Sequence, residues 1–225
     1  MNICKEINQE LCESYKHHTR EFLDSYESIY HDGNMPSRIN EFGIIDENRF
    51  NTNSRILVIA KETNGWSNEE FDEGILFRSW MEDITQHGLD GHDHIRKYPT
   101  MWYNIGRWII LIQHPNYDLA TLSKEKSSAI SAIGTVAFTN INKVRGNNVS
   151  GKAYRQIAYA DIVGKVLRDE LDIIKPNIVL CCGTFHPFLH HAPNYNGIIF
   201  GMPHPAARKS SLDMLNNLKK QILCE

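Results

Sequence analysis

No stretch of this chain approaches the ~20 consecutive apolar residues that a membrane-spanning helix needs. Its first residues, MNICKEINQELCESY, lack the apolar core of a secretion signal, so no signal peptide is expected. Cysteine is sparse: five in 225 residues, an odd number without a regular framework. That usage points to a reducing cytoplasm rather than to a disulfide scaffold. A surplus of positive charge is also missing. The formal net charge of −3 argues against a protein that coats nucleic acid through bulk charge. Internal repeats, low-complexity tracts and linkers are absent. What remains is an ordinary globular composition, 41% hydrophobic and 23% charged, at a length suited to one domain with a sizeable core.

The distribution of charge says more than its sum. Residues 61–93 hold nine acids against two bases, Lys61 and Arg78. Residues 142–155 hold four bases, Lys143, Arg145, Lys152 and Arg155, and no acid. A phosphate-bearing partner would meet the second stretch, not the first.

Hydrophobic periodicity lays out the elements. Residues 3–30 read as one long amphipathic helix, an N-terminal extension of about residues 1–35, with Ile7, Leu11, Tyr15, Phe22, Tyr26 and Ile29 at helical spacing. A short extended piece is expected at 42–45. The run Arg55 to Ala60 reads as a buried parallel strand. Helices are expected over 69–87, 100–113 and 123–133, and a single amphipathic helix over 152–174. Two further strands, 177–182 and 198–201, and a last helix over 213–223 complete the chain. Strand and helix alternate, which predicts a three-layer α/β/α sandwich with a short, mostly parallel central sheet.

The stretch Thr135 to Gly146, TVAFTNINKVRG, stands at the centre of this plan. It begins as a buried strand and turns polar at Asn140. In an open α/β sheet, ligands sit outside the carboxyl ends of the strands. An amide there offers a donor and an acceptor on one planar edge, as reading a nucleobase requires. The alternative is a strand-terminating Asn with solvated cations behind it. Two more strands end in polar clusters: Glu62 and Asn64 after the first, and His204 within GMPHPAAR after the last.

These three segments resemble motifs of the uracil-DNA glycosylase superfamily. Lys61-Glu62-Thr63-Asn64-Gly65 resembles the first loop of its thermostable iron–sulfur branch. Thr139-Asn140-Ile141-Asn142-Lys143-Val144-Arg145 resembles that branch's Thr-Asn-x-x-Lys-x-Arg segment. Phe200 to Arg208 resembles the strand and His-Pro-Ser motif near the family's carboxyl end. The likeness runs from about Arg55 to Leu223, in order and at similar spacing. It implies a DNA-repair enzyme that excises a base by hydrolysing its N-glycosidic bond. Glu62, with Asn64, would orient a water or offset charge on the sugar, and His204 would stabilise the departing base. Asn140 would bind the base, and Phe77 or Trp66 would stack on it. Lys143, Arg145, Lys152 and Arg208 would meet phosphate. The implied partner is uracil-containing or damaged DNA, or a nucleotide.

The chain departs from the pattern in informative ways. Thr63 and Asn64 replace a small residue and Pro in the first loop, and Ala206 replaces the family Ser. Cys4 and Cys12 lack paired spacing, and Cys181 and Cys182 fall inside a strand, so no iron–sulfur cluster or other cofactor is expected. These departures keep a second reading open, in which the fold binds a nucleotide, nucleic acid or protein without catalysis. Residues 146–153 approach a P-loop, but Ala153 lacks the magnesium-binding hydroxyl. His87, His92, Asp93 and His94 have zinc-compatible chemistry, yet in a Gly-rich polar loop they read as solvated and no metal is expected.

Overall fold

The structure is a computed structural model that describes residues 2–31, 37–61, 77–88, 99–144 and 151–224. Strands β1 (Gly43–Ile44), β2 (Ile56–Ala60), β3 (Ala137–Asn140), β4 (Ile178–Cys182) and β5 (Ile198–Met202) form one sheet in the order β1-β3-β2-β4-β5. Only β1 runs antiparallel to its neighbour; the other pairings are parallel. All five side chains of β2 are buried, as expected of a central strand covered on both faces.

Nine helices are described: α1 (Ile3–Tyr30), α2 (Phe77–His87), α3 (Pro99–Gln113), α4 (Leu119–Leu122), α5 (Ser127–Ile133), α6 (Lys152–Ala158), α7 (Asp161–Ile174), α8 (Phe185–His191) and α9 (Ser211–Ile222). One layer joins α1 to α6 and α7, with α8 beside α7; the other joins α2, α3 and α5, with α9 against α3 and α4. The architecture is a three-layer α/β/α sandwich, as the alternation predicts.

Helix α1 shows why the first residues fold as they do. Asn2 caps its start by accepting the Cys4 N–H at 3.0 Å, and His31 closes it in the left-handed region at φ 50. Its buried stripe is Cys4, Asn8, Leu11, Tyr15, His18, Phe22 and Tyr26. The polar member Asn8 pairs with the edge strand: its amide donates to the Ile44 carbonyl at 3.1 Å and accepts the Ile44 N–H at 2.9 Å. Gln221 of α9 does the same at the opposite edge, accepting the Gly201 N–H at 3.0 Å and donating to the Gly201 carbonyl at 3.2 Å. Side-chain amides thus occupy backbone groups on both edge strands, which hinders pairing with another chain.

One helix expected to be continuous is two. Residues 152–174 break at Tyr159 and Ala160, where Ala160 is extended at ψ 142. The apolar stripe changes phase there: Ile157 to Ile162 is a step of five, which one straight helix cannot keep on one face. Asp161 in the new first turn suits the positive end of α7. The helix expected over 123–133 is α5, which starts later, at Ser127; α4, capped by Asp118 accepting the Thr121 N–H at 2.7 Å, precedes the expected range and was not foreseen. Of the helix expected over 69–87, residues from Phe77 onward are described; 69–76 lie outside the described residues. Helix α8, an element not expected from the sequence, contains Pro187. That proline occupies the third position of the helix, inside the first turn, where no N–H partner is needed.

Candidate functional site

From β2 the chain crosses to β3 on one side, and from β4 it crosses to β5 on the other. The carboxyl ends of β2 and β4 therefore flank a topological switch point, where an open α/β sheet leaves a crevice. Lys61 follows β2 and Gly183 follows β4. Gly183 has φ +77, which favours glycine. A Cβ built on it would lie 3.2 Å from the His204 backbone N and Cα and 3.3 Å from Lys61 Cε. Three strand ends thus converge on one glycine, which brings Lys61 beside His204.

His204 is held in place from its backbone. Asn104 of α3 donates to the Pro205 carbonyl at 2.8 Å, and the Ala207 N–H donates to the His204 carbonyl at 2.8 Å. Asn104 is itself fixed by Arg107 at 3.3 Å and the Ser211 hydroxyl at 2.8 Å. Pro203 and Pro205 restrict the chain on either side. The ring accepts the Ala206 N–H on Nδ1 at 3.2 Å. Burial, then the Lys61 charge, holds the imidazole below its ordinary value of 6.5. A neutral ring accepting on Nδ1 carries its proton on Nε2, so His204 is a donor through that atom.

Lys61 is half-buried. Its ammonium lies 5.3 Å from the centroid of the Tyr154 ring of α6, and it has no carboxylate partner among the described residues. Among the described residues, a cation over an aromatic face and beside a neutral imidazole gives the crevice positive charge, in a chain whose net charge is negative.

The turn after β3 is built differently. Asn140 is 2% exposed and pairs in register with Ala60. The Ile141 and Asn142 N–H groups donate to the Ala60 and Lys61 carbonyls, both at 2.9 Å. Asn142 Oδ1 accepts the Val144 N–H at 3.1 Å. Lys143 then turns inward. Its ammonium donates to Glu170 Oε1 of α7 at 2.6 Å and bonds the Thr139 hydroxyl. Thr139 also donates to that carboxylate oxygen at 2.6 Å, and the Tyr15 hydroxyl of α1 joins them. Burial pushes the Lys143 ammonium down, opposed by Glu170. Burial and then Glu170 push the Tyr15 phenol well up.

The residues singled out from sequence fall as follows. His204 lies at the crevice and Asn140 at the end of the adjoining strand β3. Lys152 and Arg208 are exposed. Glu62, Asn64, Trp66 and Arg145 lie outside the described residues, as do His92, Asp93 and His94. Lys143 departs from the expected phosphate contact: at 2% exposure, with its charge met by Glu170, it turns no face toward solvent. Phe77 departs from the expected stacking role. It is 2% exposed and packs among Phe42, Trp80, Trp102 and Phe138 as a core ring. His87 pairs with Asp83 at 2.9 Å on an exposed helix end.

Sequence reasoning passed over Lys61, Gly183 and Glu170. Glu170 left a signal: it occupies an apolar position of α7, in step with Val163, Val166, Leu167 and Ile174. A carboxylate there calls for a buried cation, and Lys143 is that cation. Lys61 and Gly183 left none beyond following a strand. Comparison of the chain with protein-family models, curated proteins and solved structures finds no match.

Proposed function

We propose that the crevice between β2 and β4 binds a nucleobase and that the protein hydrolyses the N-glycosidic bond of uracil or a related damaged base in DNA. One observation carries the reading: a neutral imidazole donor and an ammonium without a carboxylate partner among the described residues meet at Gly183, where three strand ends converge. When a glycosidic bond breaks, its electron pair leaves with the base and the sugar carbon becomes cationic. Water then bonds to that carbon through oxygen and gives up a proton, which neutralises the base anion. The Nε2–H of His204 and the Lys61 charge supply fixed positive potential for the base oxygen on which charge develops. Asn140 hydrogen-bonds the base edge. Glu62, the next residue after Lys61, orients the water or offsets the sugar cation. Lys152 and Arg208 meet phosphate.

The burial of Lys143 favours a second reading. With one expected phosphate cation withdrawn into the core, the crevice holds a nucleotide or nucleic-acid end without cleaving it. The test is incubation of the full chain with oligonucleotides carrying uracil or other damaged bases, with released base measured by mass spectrometry. Release of at least one base is expected. Binding without release would leave the second reading, and neither binding nor release would overturn both.

A further inference from the structure

We infer that Asn104 of α3 is a positioning residue: its amide sets the direction of the His204 ring, and Arg107 sets the direction of that amide. The inference rests on the proposed role of His204 as a donor to the departing base, and it adds the residues that aim the donor. Asn104 is 1% exposed, and its Nδ2 donates to the Pro205 carbonyl at 2.8 Å. Among the described residues, the other hydrogen bonds of 204–209 stay inside that segment. The Ala206 N–H goes to His204 Nδ1 at 3.2 Å, the Ala207 N–H to the His204 carbonyl at 2.8 Å and the Lys209 N–H to the Ala207 carbonyl at 2.7 Å. The Asn104 bond is the one that ties the loop to the body of the protein.

That tie reaches the imidazole through a single peptide plane. The Pro205 carbonyl and the Ala206 N–H belong to the same rigid peptide group and point to opposite sides of it. Asn104 fixes the carbonyl, so it fixes the N–H, and that N–H holds Nδ1 of His204. With Nδ1 held, the Nε2–H across the ring has one direction. A donor on the carbonyl also polarises the peptide group and strengthens its N–H as a donor.

Asn104 has its own orientation set from behind. Its Oδ1 accepts Arg107 Nη1 at 3.3 Å and the Ser211 hydroxyl at 2.8 Å. Turned over, the amide would set its NH2 against a guanidinium. Arg107 is 6% exposed and has no carboxylate partner among the described residues. It donates through Nε to the Glu125 carbonyl at 2.8 Å and through Nη1 to the Ser211 hydroxyl oxygen at 3.0 Å. A buried cation met by neutral acceptors alone is costly, and an apolar contact would join α3 to α9 at less expense. What the cation supplies is direction: it draws the amide oxygen to itself and leaves the amide donor for the loop.

The test is Asn104→Asp in the full chain. Aspartate keeps oxygens for Arg107 and Ser211, gives the guanidinium a carboxylate, and loses the donor to Pro205. The melting temperature should be no lower than that of wild type. Single-turnover release of base from a uracil-containing oligonucleotide should nevertheless slow about 10–100-fold, with KM unchanged. The His204 ring resonances, followed by NMR without substrate, should move. Ser211→Ala, which removes one of the two donors to Asn104 Oδ1, should act in the same direction and less strongly; it decides the matter if Asn104→Asp does not fold. Unmoved ring resonances in the folded variant, or release that falls no further than the folded fraction explains, would overturn the inference. Wild type that releases no base would overturn the glycosylase reading instead, and the ring resonances alone would then decide whether Asn104 aims His204.

Discussion

Replacing Lys143 by Ala separates a buried structural cation from a phosphate-binding one. The substitution removes the ammonium from Glu170, which is 1% exposed, and leaves a carboxylate met by two hydroxyls, Tyr15 and Thr139. Breaking one side of a buried pair in this way costs about 3–5 kcal/mol. In a chain of this size, 1 kcal/mol moves the melting temperature by about 2–4 °C. The expected fall is therefore about 6–20 °C, read by circular dichroism. Replacing both partners, Lys143→Met with Glu170→Gln, removes the unpaired charge and should recover much of the loss. The salt dependence of any DNA binding should be unchanged in folded Lys143→Ala protein, because no phosphate contact is lost. An unshifted melting temperature, with a salt slope shallower by about one unit, would refute the reasoning and return Lys143 to the surface.

Gly183→Ala places a Cβ in the left-handed region and against His204 and Lys61; it should destabilise by about 1–3 kcal/mol and reduce base release beyond what the folded fraction explains. Equal stability and activity would show that the three strand ends do not depend on that contact. The His204 ring, held below 6.5 by burial and Lys61, should stay neutral as pH falls past 6.5, so the acid limb of activity should lie below that value. Lys61→Met should move the limb upward; a downward or absent shift counts against the pairing. Overall stability should also fall with pH once below 6.5, because His204 and the buried His191 bind protons more weakly folded than unfolded. A flat or rising urea midpoint between pH 6.5 and 5 would contradict this.

The layers were legible because buried strands and amphipathic helices carry their own periodicity. The runs ending at Ala60, Asn140 and Cys182 gave the core of the sheet, and the stripe from Ile7 to Ile29 gave α1. The break between α6 and α7 was readable only as a phase change between Ile157 and Ile162, easily absorbed into one long helix. The crevice was legible in part. His204 stands out because two prolines frame it. Lys61 does not, since its meaning depends on Gly183 and His204, more than a hundred residues away. Lys143 was misread for a related reason: next to loop residues it looks solvated, while its partner Glu170 lies one helix further on.

The double-mutant cycle of Lys61→Met and His204→Ala, followed by single-turnover release of base from a uracil-containing oligonucleotide, tests the central claim most directly. Removing the His204 donor should slow release about 10²–10³-fold, as loss of one oxyanion donor does, with little change in melting temperature. Lys61→Met should slow it in the same direction. Because both act on one developing charge, the double variant should lose less than the product of the single losses. Wild-type rates in both folded single variants would contradict the account.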